Sequence, residues 1–212
     1  MRVLRVGKND WPLPIPIVRS QGKWHFDTLA GKEELLFRRI GANELGAIAV
    51  CRGYVSAQRD YASAERDGQP AGTYAQKIMS DPDKHNGLYW ETKPDEPPSP
   101  AGPLVAQASA EGYLPDKARP KLTPYHGYYY RIVKAQGAAA HGGAADYLVD
   151  GRMVKGFALV AFPVQYQVSG VMTFIVNQDG VVYQNNLGQS TEEIASSLTE
   201  FDPDSSWSAI RN

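Results

Sequence analysis

Hydrophobic and polar positions change period along the chain, and each change marks a different kind of element. From Arg2 to Asp27 apolar residues fall in short extended runs, "RVLRV", "WPLPIPIV" and "KWHFD". Turn residues at Gly7-Lys8-Asn9-Asp10 and Ser20-Gln21-Gly22 separate them, which predicts a small β-meander. Pro12, Pro14 and Pro16 have no amide proton to donate, so the middle run belongs at a sheet edge or in a polyproline conformation. From Gly31 the period becomes helical. Ala47, Ile48, Cys51, Tyr54, Val55, Gln58, Tyr61 and Ala62 form one stripe, Arg52, Ser56, Arg59, Asp60, Ser63 and Arg66 lie opposite, and Asp67-Gly68 supplies a stop. The helix begins near Lys32 or restarts, after a break at Gly41, at Asn43, because Asn caps well and Gly propagates poorly.

A short helix over Thr73 to Met79 is expected next, then the proline-rich loop "KPDEPPSPAGP" and a helix from Pro103 to Gly112. Strand patterns follow in "GYYYRIVKA", "DYLVDGRMV" with an Asp150-Gly151 hairpin signal, "GFALVAFPVQY", and "VMTFIVNQDGVVY" turning at Asn177-Gln178-Asp179-Gly180. In the last of these Val171, Thr173 and Ile175 face one way and Met172, Phe174 and Val176 the other, so both sheet faces need cover. A final helix opens on a capping box, Ser190 with Glu193, and carries the stripe Ile194, Leu198, Phe201. The order predicts an α+β fold: a meander in residues 1–28, then a domain in residues 29–212 with a long helix on an antiparallel sheet, closed by a C-terminal helix.

The 212 residues suffice for one buried core, and apolar residues make up 42 % of them. With 22 basic against 23 acidic side chains, the chain as a whole has no one-sign field for nucleic acid or an anionic membrane. Cys51 is alone, so no internal disulfide forms. No apolar run approaches a membrane span, and Met1 to Val6 is too short and charged for a signal peptide. Two settings stay open: a cytoplasmic protein, or one whose leader precedes Met1.

Candidate chemistry is sparse. His25 lies between Trp24 and Phe26 in a strand and points away from both. Asp81, Asp83 and His85 have divalent-ion ligands in "DPDKHNG", yet the same composition builds a turn, which is the favoured alternative. Glu65, Asp67 and Gly68 match three positions of a calcium loop, but Tyr74 stands where its closing carboxylate belongs. His141 sits in "AAAHGGAA", no histidine pair has zinc-helix spacing, and no G-x-S-x-G elbow or phosphate-cradling glycine loop occurs. Cys51 falls on the buried stripe, where a thiol behaves as a small apolar group. Tyr128, Tyr129 and Tyr130 put rings on both faces of one strand, as packing or as the wall of a ligand groove.

The phrases "WPLPIPIV", "WHFDTLAGKEELLFRRIGANELGAI", "PYHGYYYRI", "GFALVAFPVQYQVSGVMTFIVNQDGVVYQNNLG" and "FDPDSSW", in that order, resemble the bacterial family catalogued as domain of unknown function 2950. The resemblance implies an exported protein, periplasmic or secreted, whose meander is the remnant of a longer N-terminal region. It implies no reaction and no cofactor. The architecture is also similar to the globular part of type IV pilins and type II secretion pseudopilins. Here the pattern departs, since Gly41 is followed by Glu44 at three positions and only "LGAIAVC" is apolar after it, where a pilin has a long apolar helix. Two functions are therefore expected as alternatives. One is a non-enzymatic pilin-like domain that binds a protein partner in the cell envelope, with no metal, nucleic acid or membrane span. The other is a ligand-binding or hydrolytic domain whose pocket is lined by His126, Tyr128 and Tyr130 with Asp202 or Asp204 nearby.

Overall fold

The fold was analysed in a computed structural model, which describes residues 1–93, 95–105 and 124–211. Four short strands open the chain: β1 (Arg5–Val6), β2 (Trp11–Pro12), β3 (Ile17–Ser20) and β4 (Lys23–Phe26). β1 pairs with β2 and β3 with β4, and an Arg2–Ile17 bridge joins the two ribbons. Pro12 lies in the outer strand of its ribbon, where a missing amide proton costs no ladder bond. Gln21 and Gly22, both at positive φ, make the β3–β4 turn.

α1 runs unbroken over Thr28–Ala62, 35 residues and about 50 Å at 1.5 Å per residue. It starts neither near Lys32 nor at Asn43. Asp27 is the cap, accepting from the Ala30 amide at 3.1 Å. Interior glycines do not break this helix because others need their bareness: a Cβ on Gly46 would lie 2.4 Å from the His126 ring, and one on Gly31 2.8 Å from Ile15. Asn43, released from capping, donates from Nδ2 to the Ser169 carbonyl at 2.8 Å.

The main sheet is built from β5 (Tyr128–Val133), β10 (Ala158–Pro163), β11 (Thr173–Asn177), β12 (Val182–Asn185) and β13 (Ser208–Ala209), in the spatial order β13-β12-β11-β10-β5, antiparallel throughout. Between β5 and β10 lie two small ribbons, β6 (Ala135–Gln136) with β7 (Ala145–Asp146) and β8 (Leu148–Val149) with β9 (Arg152–Met153). Asp150 and Gly151, both at positive φ, form the predicted turn of the second. Register and alternation point Tyr128, Leu159, Ala161, Phe174 and Val176 toward α1, and Arg131, Val160, Ile175 and Tyr183 toward the opposite layer. Every residue of β10 and β11 is buried, which is why β10 reads as an unbroken apolar run. Asn177 to Gly180 makes the β11–β12 turn, with the Gly180 amide donating to the Asn177 carbonyl at 3.0 Å and Gly180 at φ +81°.

Three expectations are corrected. Thr73 to Met79 is not helical. Tyr74 bridges Met153, and the fully buried Gln58 side chain pairs with Ala75 as a strand would, donating to its carbonyl at 2.8 Å and accepting from its amide at 2.9 Å. The C-terminal helix α2 is only Thr191–Ser197, and Ser190 makes no capping bond. Ser190 belongs to a 3-10 turn, Gly188–Ser190, and its backbone at φ −88°, ψ 19° lacks the extended geometry a capping box needs. The stripe also differs: Thr191 and Ala195 are the buried residues, Ile194 is exposed, and Leu198 and Phe201 lie beyond the helix end. Small side chains let α2 sit close to β10, while Arg131 from β5 donates to the carbonyls of Ala195 at 2.9 Å and Leu198 at 2.5 Å, closing the helix C-terminus. Of the predicted Pro103–Gly112 helix, residues up to 105 are helical and the rest lie outside the described residues.

Val55 faces the sheet from α1 and is 4 % exposed. Val55→Asp buries a charge without a partner and is expected to cost about 3 kcal/mol or more. Denaturant melting checks this, and an unchanged midpoint would reject the packing of α1 on the sheet.

Candidate functional site

The point where α1 leaves the sheet gathers three of the five predicted site residues. His126 and Gly127, both at positive φ, turn the chain into β5. The His126 ring lies against Gly46 of α1 and beside Tyr125, centroids 4.0 Å apart. Tyr128 is fully buried, and its hydroxyl donates to the Met172 carbonyl at 2.9 Å, over Gly170, whose missing side chain leaves room for it. Tyr130 donates to the Tyr125 carbonyl at 3.1 Å. Glu44 completes the knot, one carboxylate oxygen accepting from the amides of Val171 at 2.9 Å and Met172 at 3.0 Å. Burial, and then the nearby Glu44 charge, raise the Tyr128 pKa far above its ordinary value. Its hydroxyl is thus held neutral as a hydrogen-bond donor.

The carboxylates lie elsewhere. Phe201 bridges Gln136, so Asp202 sits past the other end of β5, accepting from the Ala139 amide at 2.8 Å with Gly137 packed against it. Asp204 is exposed and accepts from the Ser206 amide and hydroxyl at 2.8 and 2.6 Å, which lowers its pKa. The length of β5, about 20 Å at 3.3 Å per residue, separates the two groups. His126, Tyr128 and Tyr130 come together; Asp202 and Asp204 do not join them.

Asp81 is engaged by Lys77 at 2.6 Å and Asn86 at 2.8 Å within a turn. Asp67, at positive φ, accepts from the His85 amide at 2.7 Å. Among the described residues no three His, Cys, Asp or Glu side chains gather as a metal-holding group.

One cluster gave no signal in the sequence because its members are scattered. His85 stacks on Trp90 with centroids 4.3 Å apart, and the Arg66 guanidinium lies over Trp90 at 5.3 Å and over Tyr61 at 5.9 Å. The Tyr61 hydroxyl donates to the His85 carbonyl at 3.0 Å. Arg66, His85 and Trp90 edge a groove of about 450 Å³ whose further walls are Asp60, Glu96, Pro97 and Pro98. The rings and the cation are occupied with one another, so the groove is the seam between the end of α1 and the following loop.

A different surface is uncovered. At 3.6 residues per turn, Leu29, Leu36 and Ile40 lie on the face that Ala47, Cys51, Tyr54 and Gln58 present to the sheet, with Phe37 at its margin. The sheet covers only the later part. Leu29 is 79 % and Phe37 64 % exposed. Gly31 and Arg38 lie on the opposite side of α1 and hold the meander, Gly31 against Ile15 and Arg38 over the Trp11 ring at 5.2 Å, with a bond to the Pro12 carbonyl at 2.7 Å. Register puts Leu4, Val6, Trp11, Trp24 and Phe26 on one face of the meander, and each is close to half exposed. Residues 1–42 thus form an arm with apolar side chains on two sides of α1. Sequence reasoning noted the helix and the meander but not that the stripe outruns the sheet; the apolar spacing of Leu29, Leu36 and Ile40 was its signal.

No helix of the described residues is long and apolar enough to cross a membrane. A family model described as "Protein of unknown function (DUF2950)" matches residues 1–210, as the sequence phrases imply. No curated protein and no solved structure matches the chain.

Cys51 is wholly buried, and burial pushes its thiol pKa from 9.0 to about 12, opposed only weakly by Arg52. In the unfolded chain the thiol ionises near 9, so the folded state binds the proton more tightly. This contribution to stability is full below pH 9 and lost as pH rises from 9.0 toward about 12. The alkaline fall in stability is expected to be shallower in Cys51→Ala, with Tyr54, Tyr61, Tyr128 and Tyr147, whose hydroxyls burial also holds neutral, still contributing. Denaturant melts from pH 8 to pH 10 (about one unit either side of the unfolded thiol) check this, and identical slopes would contradict the buried, inert thiol.

Proposed function

We propose that this chain, which belongs to the DUF2950 family of proteins of unknown function, is a non-enzymatic interaction domain of the bacterial cell envelope that docks a protein partner through residues 1–42. The uncovered stripe carries the proposal. Exposed Leu29 and Phe37, with half-buried Leu36 and Ile40, continue the face that α1 buries on the sheet around the exposed Glu33, and large apolar side chains gathered at the surface of a folded domain mark an interface. Rigid support is at hand, because Asn43 and Glu44 fasten α1 to the main body about one turn after Ile40.

Export to the periplasm or the exterior is supported by the family resemblance. The pilin-like architecture is supported by the layout of α1, one end set on a sheet and the other projecting from it. Lys32, Glu33, Glu34, Arg38 and Arg39 within the projecting part distinguish it from an apolar filament helix, so its counterpart is a protein surface and not a bilayer core. The separation of His126 from Asp202 along β5 weighs against the pocket of the alternative, ligand-binding or hydrolytic function.

A photo-cross-linking side chain at Phe37, introduced in the protein's native cells, is expected to give a discrete protein adduct. The same group at exposed Ala64, just past the far end of α1, is expected to give none. No adduct at Phe37, or equal adducts at both positions, would contradict the docking role.

A further inference from the structure

β4 leaves one edge of the meander open, and its hydrogen-bonding pattern fixes which groups that edge presents. The Asp27 amide donates to the Pro16 carbonyl at 2.8 Å, so along the β3–β4 ladder the pairs Val18–His25 and Ser20–Lys23 are the ones that exchange main-chain bonds. Trp24 and Phe26 alternate with them. Ile17, opposite Phe26, exchanges amide and carbonyl with Arg2 on its other side, both bonds at 2.8 Å. The amides and carbonyls of Trp24 and Phe26 therefore point outward, and among the described residues β4 has no strand but β3 beside it. All four residues of β4 are exposed. Such an edge is a template for another strand, and β4 carries no proline or bulge to blunt it.

We infer that β4 pairs antiparallel with β4 of a second copy of the chain, joining two meanders into one sheet. The strand is complementary to itself in a single register. With His25 opposite His25 of the second copy, Trp24 faces Phe26, and both outward-pointing residues of each strand exchange main-chain bonds. The Trp24 and Phe26 rings then pair across the junction on one face. On the other face Lys23 falls opposite Asp27 of the second copy, where the backbone is still extended at φ −82°, ψ 90°. Asp27 caps α1 through Oδ1, which leaves Oδ2 for the lysine. Centring the pairing on Trp24 sets Phe26 against the turn residue Gly22 and Lys23 against His25, and centring it on Phe26 sets Trp24 against helical Thr28. Agreement of main chain, rings and charges in one register selects a second copy over an unrelated strand. Because the same patch serves both chains, the contact closes as a twofold dimer. It uses the edge of β4 and not the α1 stripe, so it stands apart from the role proposed above.

His25→Cys tests the register, because residues facing each other at a position of this kind have Cα atoms about 4.5 Å apart, within disulfide reach. The parent, whose thiol at Cys51 is buried, supplies the background. Under mild oxidation His25→Cys is expected to become a disulfide-linked dimer. Lys23→Cys, displaced from its own counterpart by about 13 Å along the strands, is expected to stay unlinked. Both positions are exposed, so the variants are expected to melt with the parent. Sedimentation of the unaltered parent is expected to show a monomer–dimer equilibrium, weakened about tenfold in Lys23→Glu, which sets like charges opposite each other twice in the dimer. A parent that sediments as a monomer up to its solubility limit overturns the inference whatever the variants do. So does a dimer that links equally at positions 23 and 25, or one whose strength is unchanged in Lys23→Glu. A monomeric parent that captures another protein through a photo-cross-linking group at His25, in its native cells, assigns the edge to a foreign strand and overturns the inference as well. Absence of an adduct at Phe37 bears on the proposed function alone.

Discussion

α1 carries one apolar stripe along nearly its whole length, and the sheet is too short to cover it. β11, the strand α1 follows, has five residues, about 17 Å, against about 50 Å of helix. Burial of Ala47, Cys51, Tyr54, Val55, Gln58 and Tyr61 fixes the helix to the sheet. N-terminal to Asn43 the same face runs on past the sheet, with Leu36 and Ile40 half-buried and Leu29 exposed. Both the stability of the main body and the exposure of the arm follow from this mismatch in length.

Polar groups at the boundary make the mismatch permanent. Glu44 satisfies two amides ahead of β11 and Asn43 holds Ser169, so α1 cannot slide along the sheet without leaving these part-buried donors unpaired. At the other end Gln58 binds Ala75, and Arg59 donates to the Gln178 carbonyl at 2.9 Å. Gln136 accepts from Tyr147 at 2.9 Å and donates to the carbonyls of His141 and Gly143, which holds the glycine-rich loop in place. In the fold these side chains serve as fasteners for segments that lack secondary structure of their own.

The sequence was most legible where one period persisted. The helix stripe, the antiparallel strands and the Asp150-Gly151 and Asn177-Gly180 turns could all be read from spacing, because local geometry decides them. Misreadings came where tertiary partners override local preference. Gly41 and Asn43 look like a helix boundary, yet Asn43 is needed by Ser169; Thr73 to Met79 looks helical, yet the Gln58 side chain draws it out. The spacing of Ile194, Leu198 and Phe201 implies a longer final helix, whereas the short α2 packs through Thr191 and Ala195 and leaves Ile194 exposed. His126 and Asp202 could not be placed from sequence, since their separation depends on the direction in which β5 runs between them. Whole-chain neutrality likewise averages over residues 1–42, which hold eight Lys and Arg against four Asp and Glu.

Hydrogen exchange along α1 in the purified chain tests the central claim most directly. Amides from Ala47 to Tyr61, packed on the sheet, are expected to exchange only by global unfolding, and those from Leu29 to Ala42 through local opening at much lower free energy. Uniform protection over all 35 residues would contradict the account, because it would mean that the first half of the helix is held as firmly as the second without the cover that the account assigns to a partner.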